Sequence, residues 1–124
     1  MINSIYKKHL LELYAEKPNF GQLAKDKVTH TISQKNLVCN DELIIQLEVK
    51  DNKIFDAKFH GVSCFISIVS ASVLLEHIKG MTLKQAQKLT KADMDKFLGI
   101  DVIPTRINCE LMPLEALKKL NIDK

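Results

Sequence analysis

Between Cys64 and Leu75 the chain reads CFISIVSASVLL, an almost wholly apolar run broken only by Ser67, Ser70 and Ser72. It is far short of the roughly 20 residues that a membrane-spanning helix needs, yet too apolar to face water. It must therefore be a core helix, and the fold has to be organised around it. The helical period extends to about Lys79, where Gly80 is placed to end it as a C-terminal cap. Just before the run stand Gly61 and Ser63, so Cys64 marks a junction between two kinds of structure.

The segments on either side define what packs on that helix. Residues 4–16 space Ile5, Leu10, Leu11, Leu13 and Tyr14 as one face of an amphipathic helix, with Ser4 available as N-cap and Pro18 and Gly21 ending it. Residues 27–33, 42–49 and 53–61 alternate or are β-branched enough to predict strands, the last two joined by Lys50-Asp51-Asn52 as a hairpin turn. Beyond Gly80, Thr82 and Gln85 form a capping box that opens a helix to about Leu89. Thr90 to Leu98 is a further short helix ending at Gly99, and 100–112 reads as a loop. Pro113 then opens a last helix to about Leu120. Strands gathered early and helices late predict an α+β domain with a small three-stranded antiparallel sheet and helices packed on it. Phe55, Phe59, Phe65, Ile66, Val69, Val73 and Leu74 are expected in the core.

A chain of 124 residues, 46% hydrophobic and 27% charged, suits one globular domain spanning 1–124 and argues against disorder. The net charge of +3 is mild. Lys79, Lys84, Lys88, Lys91 and Lys96 recur along helices without aromatic platforms, which predicts a solvated face rather than nucleic-acid binding. The N-terminal stretch lacks an apolar core followed by a cleavage site, so a cytoplasmic protein without membrane attachment is expected.

Three cysteines cannot all pair with one another, and a reducing compartment would keep them as thiols. Cys39, Cys64 and Cys109 all fall at predicted element boundaries, where functional residues gather on a scaffold. Cys64 at a helix start is poised to be anionic, because the unpaired N–H groups and the positive end of the helix dipole favour a thiolate. Cys39 and Asp41 stand together at the entrance to the second strand. Three thiolates and one carboxylate suit tetrahedral zinc or sulfur-bound iron. Spacing alone leaves open whether the cysteines are ligands or unrelated structural residues.

The same residues resemble the iron–sulfur cluster assembly scaffold family of IscU, SufU and the NifU N-terminal domain, over almost the whole chain. CND at 39–41 is similar to the family's cysteine-glycine-aspartate loop. GVSCFISIVSASVLLEHIKG at 61–80 is similar to its glycine-x-glycine-cysteine motif and the serine-rich helix that follows, and RINCELMPLEAL at 106–117 to its third motif. The resemblance implies the SufE/NifU-like fold and one shared site of Cys39, Asp41, Cys64 and Cys109. It implies a scaffold rather than an enzyme, which accepts sulfur from a pyridoxal-phosphate cysteine desulfurase, binds iron or a transient [2Fe–2S] cluster, and passes it to recipient apo-proteins. The alternative implied by the SufU branch is a zinc-dependent sulfur carrier. Asn108 stands where many IscU proteins have histidine, which leaves Asp41 as fourth ligand, and with Arg106 it points toward SufU. The 64-to-109 interval is too short for the segment SufU proteins usually carry there. Asn40 replaces the family's glycine, and asparagine enters left-handed backbone more readily than most residues. VIPTR at 102–106 is only weakly similar to the chaperone-recruiting segment, so no dedicated chaperone is carried over. In this reading Cys39 and Cys109, in loops, are the candidate persulfide acceptors and Cys64 is a fixed ligand. Asp41 is a hard, weakly held oxygen ligand, and the charge of Arg106 supports the anionic site.

Overall fold

The computed structural model describes residues 4–36, 41–99, 102, 104 and 107–120. In chain order these form α1 (Ser4–Glu16), β1 (His30–Asn36), β2 (Asp41–Lys50), β3 (Lys53–Val62), α2 (Phe65–Ile78), α3 (Leu83–Gln87), α4 (Lys91–Leu98) and α5 (Ile107–Lys118). The expected α+β architecture is present: one antiparallel sheet in the order β1-β2-β3, with helices on one face. None of the helices among the described residues is long and apolar enough to cross a membrane.

Local chemistry accounts for most of the boundaries. Asp51 and Asn52 both adopt positive φ, 52° and 67°, as the two-residue turn of a tight β2–β3 hairpin requires. Thr82 and Gln85 close a reciprocal capping box on α3, and Thr90 with Asp93 closes a second on α4, which Gly99 terminates at φ 78°. Gly61 has φ 130°, and a Cβ there would collide with the carbonyl oxygen of Glu42 on the paired strand. Only glycine lets β3 lie this close to the start of β2.

Alternation on β2 turns Leu43, Ile45 and Leu47 inward, where they meet Ile32, Phe59, Leu74, Met112 and Leu117 in the main core. The predicted core helix is buried continuously from Ser67 to Leu75. A second cluster of Leu10, Val69, Val73, Leu98 and Val102 fills the space between α1, α2 and α4. Beyond α1 the chain turns back through Lys17 and Asn19, both at positive φ, and Phe20 bridges to Phe59 at the outer edge of β3. Asn19 donates to the Ser72 carbonyl and accepts from Lys79, which fastens this turn to α2.

Three expectations need correction. The first strand runs three residues later than 27–33, because a turn closes from Lys27 to Ala24 and the pairing with β2 continues through Gln34, Lys35 and Asn36 to Asp41. These polar residues carry no strand signal of their own; their partners on β2 hold them extended. Phe55 is 61% exposed rather than buried. It is the extra residue where the register shifts opposite Glu48 and Val49, a bulge that leaves it unpaired under the Lys50 ammonium, 4.3 Å from its ring centre. The last helix begins at Ile107, not at Pro113, which lies inside it.

Candidate metal site

The sheet and the two central helices converge at one end of the molecule. Asp41 is the first residue of β2, Cys64 is the N-cap of α2 with extended backbone, and Cys109 lies in the first turn of α5. A carboxylate oxygen of Asp41 and the sulfurs of Cys64 and Cys109 all lie within 4.8 Å of one another. A tetrahedral ion bonded at about 2.3 Å to thiolates holds such donors roughly 3.8 Å apart, so side-chain rotations of about an ångström would close them on a metal. Two soft sulfurs and one hard oxygen suit zinc or iron, and the three fill all but one corner of a four-coordinate site.

The surroundings favour the anion that a metal requires. The Cys64 amide donates to Asp41 Oδ2 at 3.3 Å, so the carboxylate also holds the start of α2, where the helix dipole welcomes negative charge. Burial opposes ionisation of the Cys64 thiol. The Ser67 amide, the Cys109 thiol, the Ser67 hydroxyl and the Ile66 amide together outweigh it and hold the thiol below its ordinary range. The two amides act from the first turn without closing a formal capping hydrogen bond. Cys64 is partly exposed and Cys109 is buried, 3% exposed.

Of the residues expected from the sequence, Asp41, Cys64 and Cys109 come together. Cys39 and Arg106 lie outside the described residues. Cys109 was expected in a loop and stands instead on a buried helix. Neither Met112 nor Pro113 stands out in the sequence as a neighbour of the site, and Ser67 reads there only as a small residue that lets the backbone and a metal come close to Cys64. Ser67 is fully buried and donates to the Cys109 carbonyl at 3.0 Å, with its oxygen 3.6 Å from the Cys64 sulfur. Met112 presents its sulfur 3.7 Å from Ser67 and 3.8 Å from Ser63. Pro113 interrupts the α5 ladder beside them. The helical spacing of Ser67 from Cys64 and of Pro113 from Cys109 was the available signal.

Fold and site together define a class: a small α+β scaffold that presents a sulfur-rich ligand set at the start of its core helix. The family of the NifU-like N-terminal domain matches residues 5–122. The chain is 32% identical over 117 residues to the iron–sulfur cluster assembly enzyme IscU of Drosophila melanogaster, covering 93% of this chain and 75% of that one. It is 25% identical over 135 residues to the zinc-dependent sulfurtransferase SufU of Bacillus subtilis, covering 95% and 90%. A crystal structure of FiSufU, assigned to iron–sulfur cluster assembly for the SUF system of Fervidobacterium islandicum AW-1, superposes with a TM-score of 0.72 at 26% identity, over 93% of this chain and 95% of that one. The chain belongs to the NifU-like N-terminal domain family, the family of the iron–sulfur cluster assembly scaffolds.

Proposed function

We infer that this protein accepts sulfur from a pyridoxal-phosphate cysteine desulfurase and assembles a transient [2Fe–2S] cluster on Cys39, Asp41, Cys64 and Cys109 for delivery to recipient apo-proteins. The observation that carries this reading is the convergence of Asp41, Cys64 and Cys109 within 4.8 Å, with Cys64 biased toward the thiolate. Cys39, two residues before Asp41 in the sequence, is the proposed fourth ligand. The charge of Arg106 is the proposed support for an anionic cluster. The protein is a scaffold, and its place is the cytoplasm.

Sulfur arrives by thiol exchange: a thiolate of this chain attacks the outer sulfur of the desulfurase persulfide, forms a new S–S bond and releases the desulfurase thiolate. Cys39 and Cys109 are the proposed acceptors; exchange requires access, so the burial of Cys109 counts against its reacting first. Each sulfane sulfur then needs two electrons from an external reductant to become cluster sulfide.

A second reading has specific support in the similarity to a zinc-dependent sulfurtransferase. In that reading the same residues hold zinc, and the persulfide is relayed without cluster formation. Anaerobic incubation with a cysteine desulfurase, cysteine, ferrous iron and dithiothreitol separates the two. Visible absorption with about two irons and two sulfides per cluster, lost in Cys64→Ser, supports the scaffold. Stimulated desulfurase turnover on a colourless zinc protein supports the relay. Neither colour nor stimulation refutes both.

A further inference from the structure

Pro113 stands four residues after Cys109 inside α5. In an uninterrupted helix the amide of residue 113 donates to the carbonyl of residue 109, but proline has no N–H and its ring crowds that carbonyl. A donor from another helix takes up the role: Ser67 of α2, fully buried, donates its hydroxyl to the Cys109 carbonyl at 3.0 Å. The same hydroxyl oxygen is 3.6 Å from the Cys64 sulfur. One small side chain thus touches both cysteine residues, and a missing helix hydrogen bond on one ligand's backbone locks it to the helix that begins at the other.

We propose that Ser67, working with Pro113, is the positioning residue that sets the Cys64–Cys109 separation for the bound metal or cluster. This rests on the reading of Asp41, Cys64 and Cys109 as a metal site. Ser67 is not a ligand; it acts by holding the backbone of Cys109 against the first turn of the helix that Cys64 caps. The two helices could pack against each other without it, since Leu74, Leu75, Leu114 and Leu117 belong to the same core. What Ser67 adds is register at the end where the thiols meet.

The pair allows stability and positioning to be pulled apart. In Pro113→Ala, residue 113 regains an amide that can reach the Cys109 carbonyl within α5. The affinity of the full-length protein for zinc is measured by chelator competition at fixed pH, with the thiolate-to-cobalt absorption of the cobalt form as spectroscopic check. Ser67→Ala is expected to weaken zinc about 10- to 100-fold, as loss of outer-shell support does at metal sites, and to shift the cobalt band. Ser72→Ala removes another fully buried serine hydroxyl of α2, one bonded to its own helix through the Ile68 carbonyl. It should lower the melting temperature without changing zinc affinity. The double variant Ser67→Ala/Pro113→Ala should recover melting temperature but not affinity. Zinc affinity within about threefold of wild type in Ser67→Ala, or recovered in the double variant, overturns the positioning role. Full zinc affinity in Cys64→Ser would instead overturn the metal site itself, and this inference with it.

Discussion

Replacing Gly61 with alanine tests the backbone geometry that seats the site. At φ 130° an L-residue is strained whatever the space around it, which costs of order 1–3 kcal/mol. The new Cβ would also collide with the Glu42 carbonyl oxygen and crowd the Glu42 carbonyl carbon at 3.1 Å and Leu43 Cα at 3.3 Å. All three are backbone atoms of the central strand, so β2 and β3 must part, and overpacking of this kind adds about 1–3 kcal/mol. The smaller entropy of the unfolded alanine chain returns roughly 0.4–1 kcal/mol. The net expectation is about 3 kcal/mol of destabilisation, or about 10–15 °C in Tm for a domain of this size. Gly80 is the control: its φ is 93°, but a Cβ there meets nothing within 4 Å, so Gly80→Ala bears the conformational cost alone. Urea unfolding of the metal-free protein in chelator measures both variants. Equal destabilisation of the two would refute the reasoning, for it would mean that the strands accommodate the methyl group freely. Glu42 adjoins Asp41, so Gly61→Ala should also weaken zinc binding while Gly80→Ala leaves it unchanged.

Thr90→Ala removes the hydroxyl half of the α4 capping box and should cost about 1 kcal/mol, read from the denaturant midpoint. Burial opposes the charge on Asp95, but the Glu110 carboxyl donating to it as the neutral acid, the Lys91 ammonium at 2.8 Å and the Val102 amide outweigh it and hold this carboxyl below its usual range. A depressed folded-state pKa contributes stability that is fully present above the unfolded value near 4 and is lost as pH falls through the lower folded value. The stability difference between wild type and Asp95→Asn should therefore shrink from about pH 4 downward, and a constant difference in pH-dependent urea unfolding would contradict this. Removing metal with a chelator should lower the melting temperature, by the equivalent of about 2.7 kcal/mol when zinc had been present at a hundred times its Kd. A chelator-insensitive melt of zinc-loaded protein would count against the site.

Where a structural decision was local, the sequence alone carried it. The Asp51-Asn52 turn, the Thr82–Gln85 capping box, the end of α4 at Gly99 and the position of Cys64 at the start of the buried helix each depend on residues within a few positions of one another. Helix caps and tight turns are satisfied by neighbouring side chains and by backbone preference, so they are legible without knowing what lies across the core. The apolar run from Cys64 likewise required a core helix, whatever packed on it.

The tertiary structure decided what depends on distant partners. Pro113 reads as a helix start because proline suits a first turn, yet α5 begins at Ile107, and Ser67, 42 residues away in sequence, supplies the Cys109 carbonyl with the donor that proline lacks. β1 extends through polar residues only because β2 lies beside them. Phe55 faces solvent because a bulge shifts the register next to it. The meeting of Asp41, Cys64 and Cys109 has the same origin: three separate elements reach one point through the packing of α2 and α5 on the sheet, a distance that no spacing in the sequence encodes.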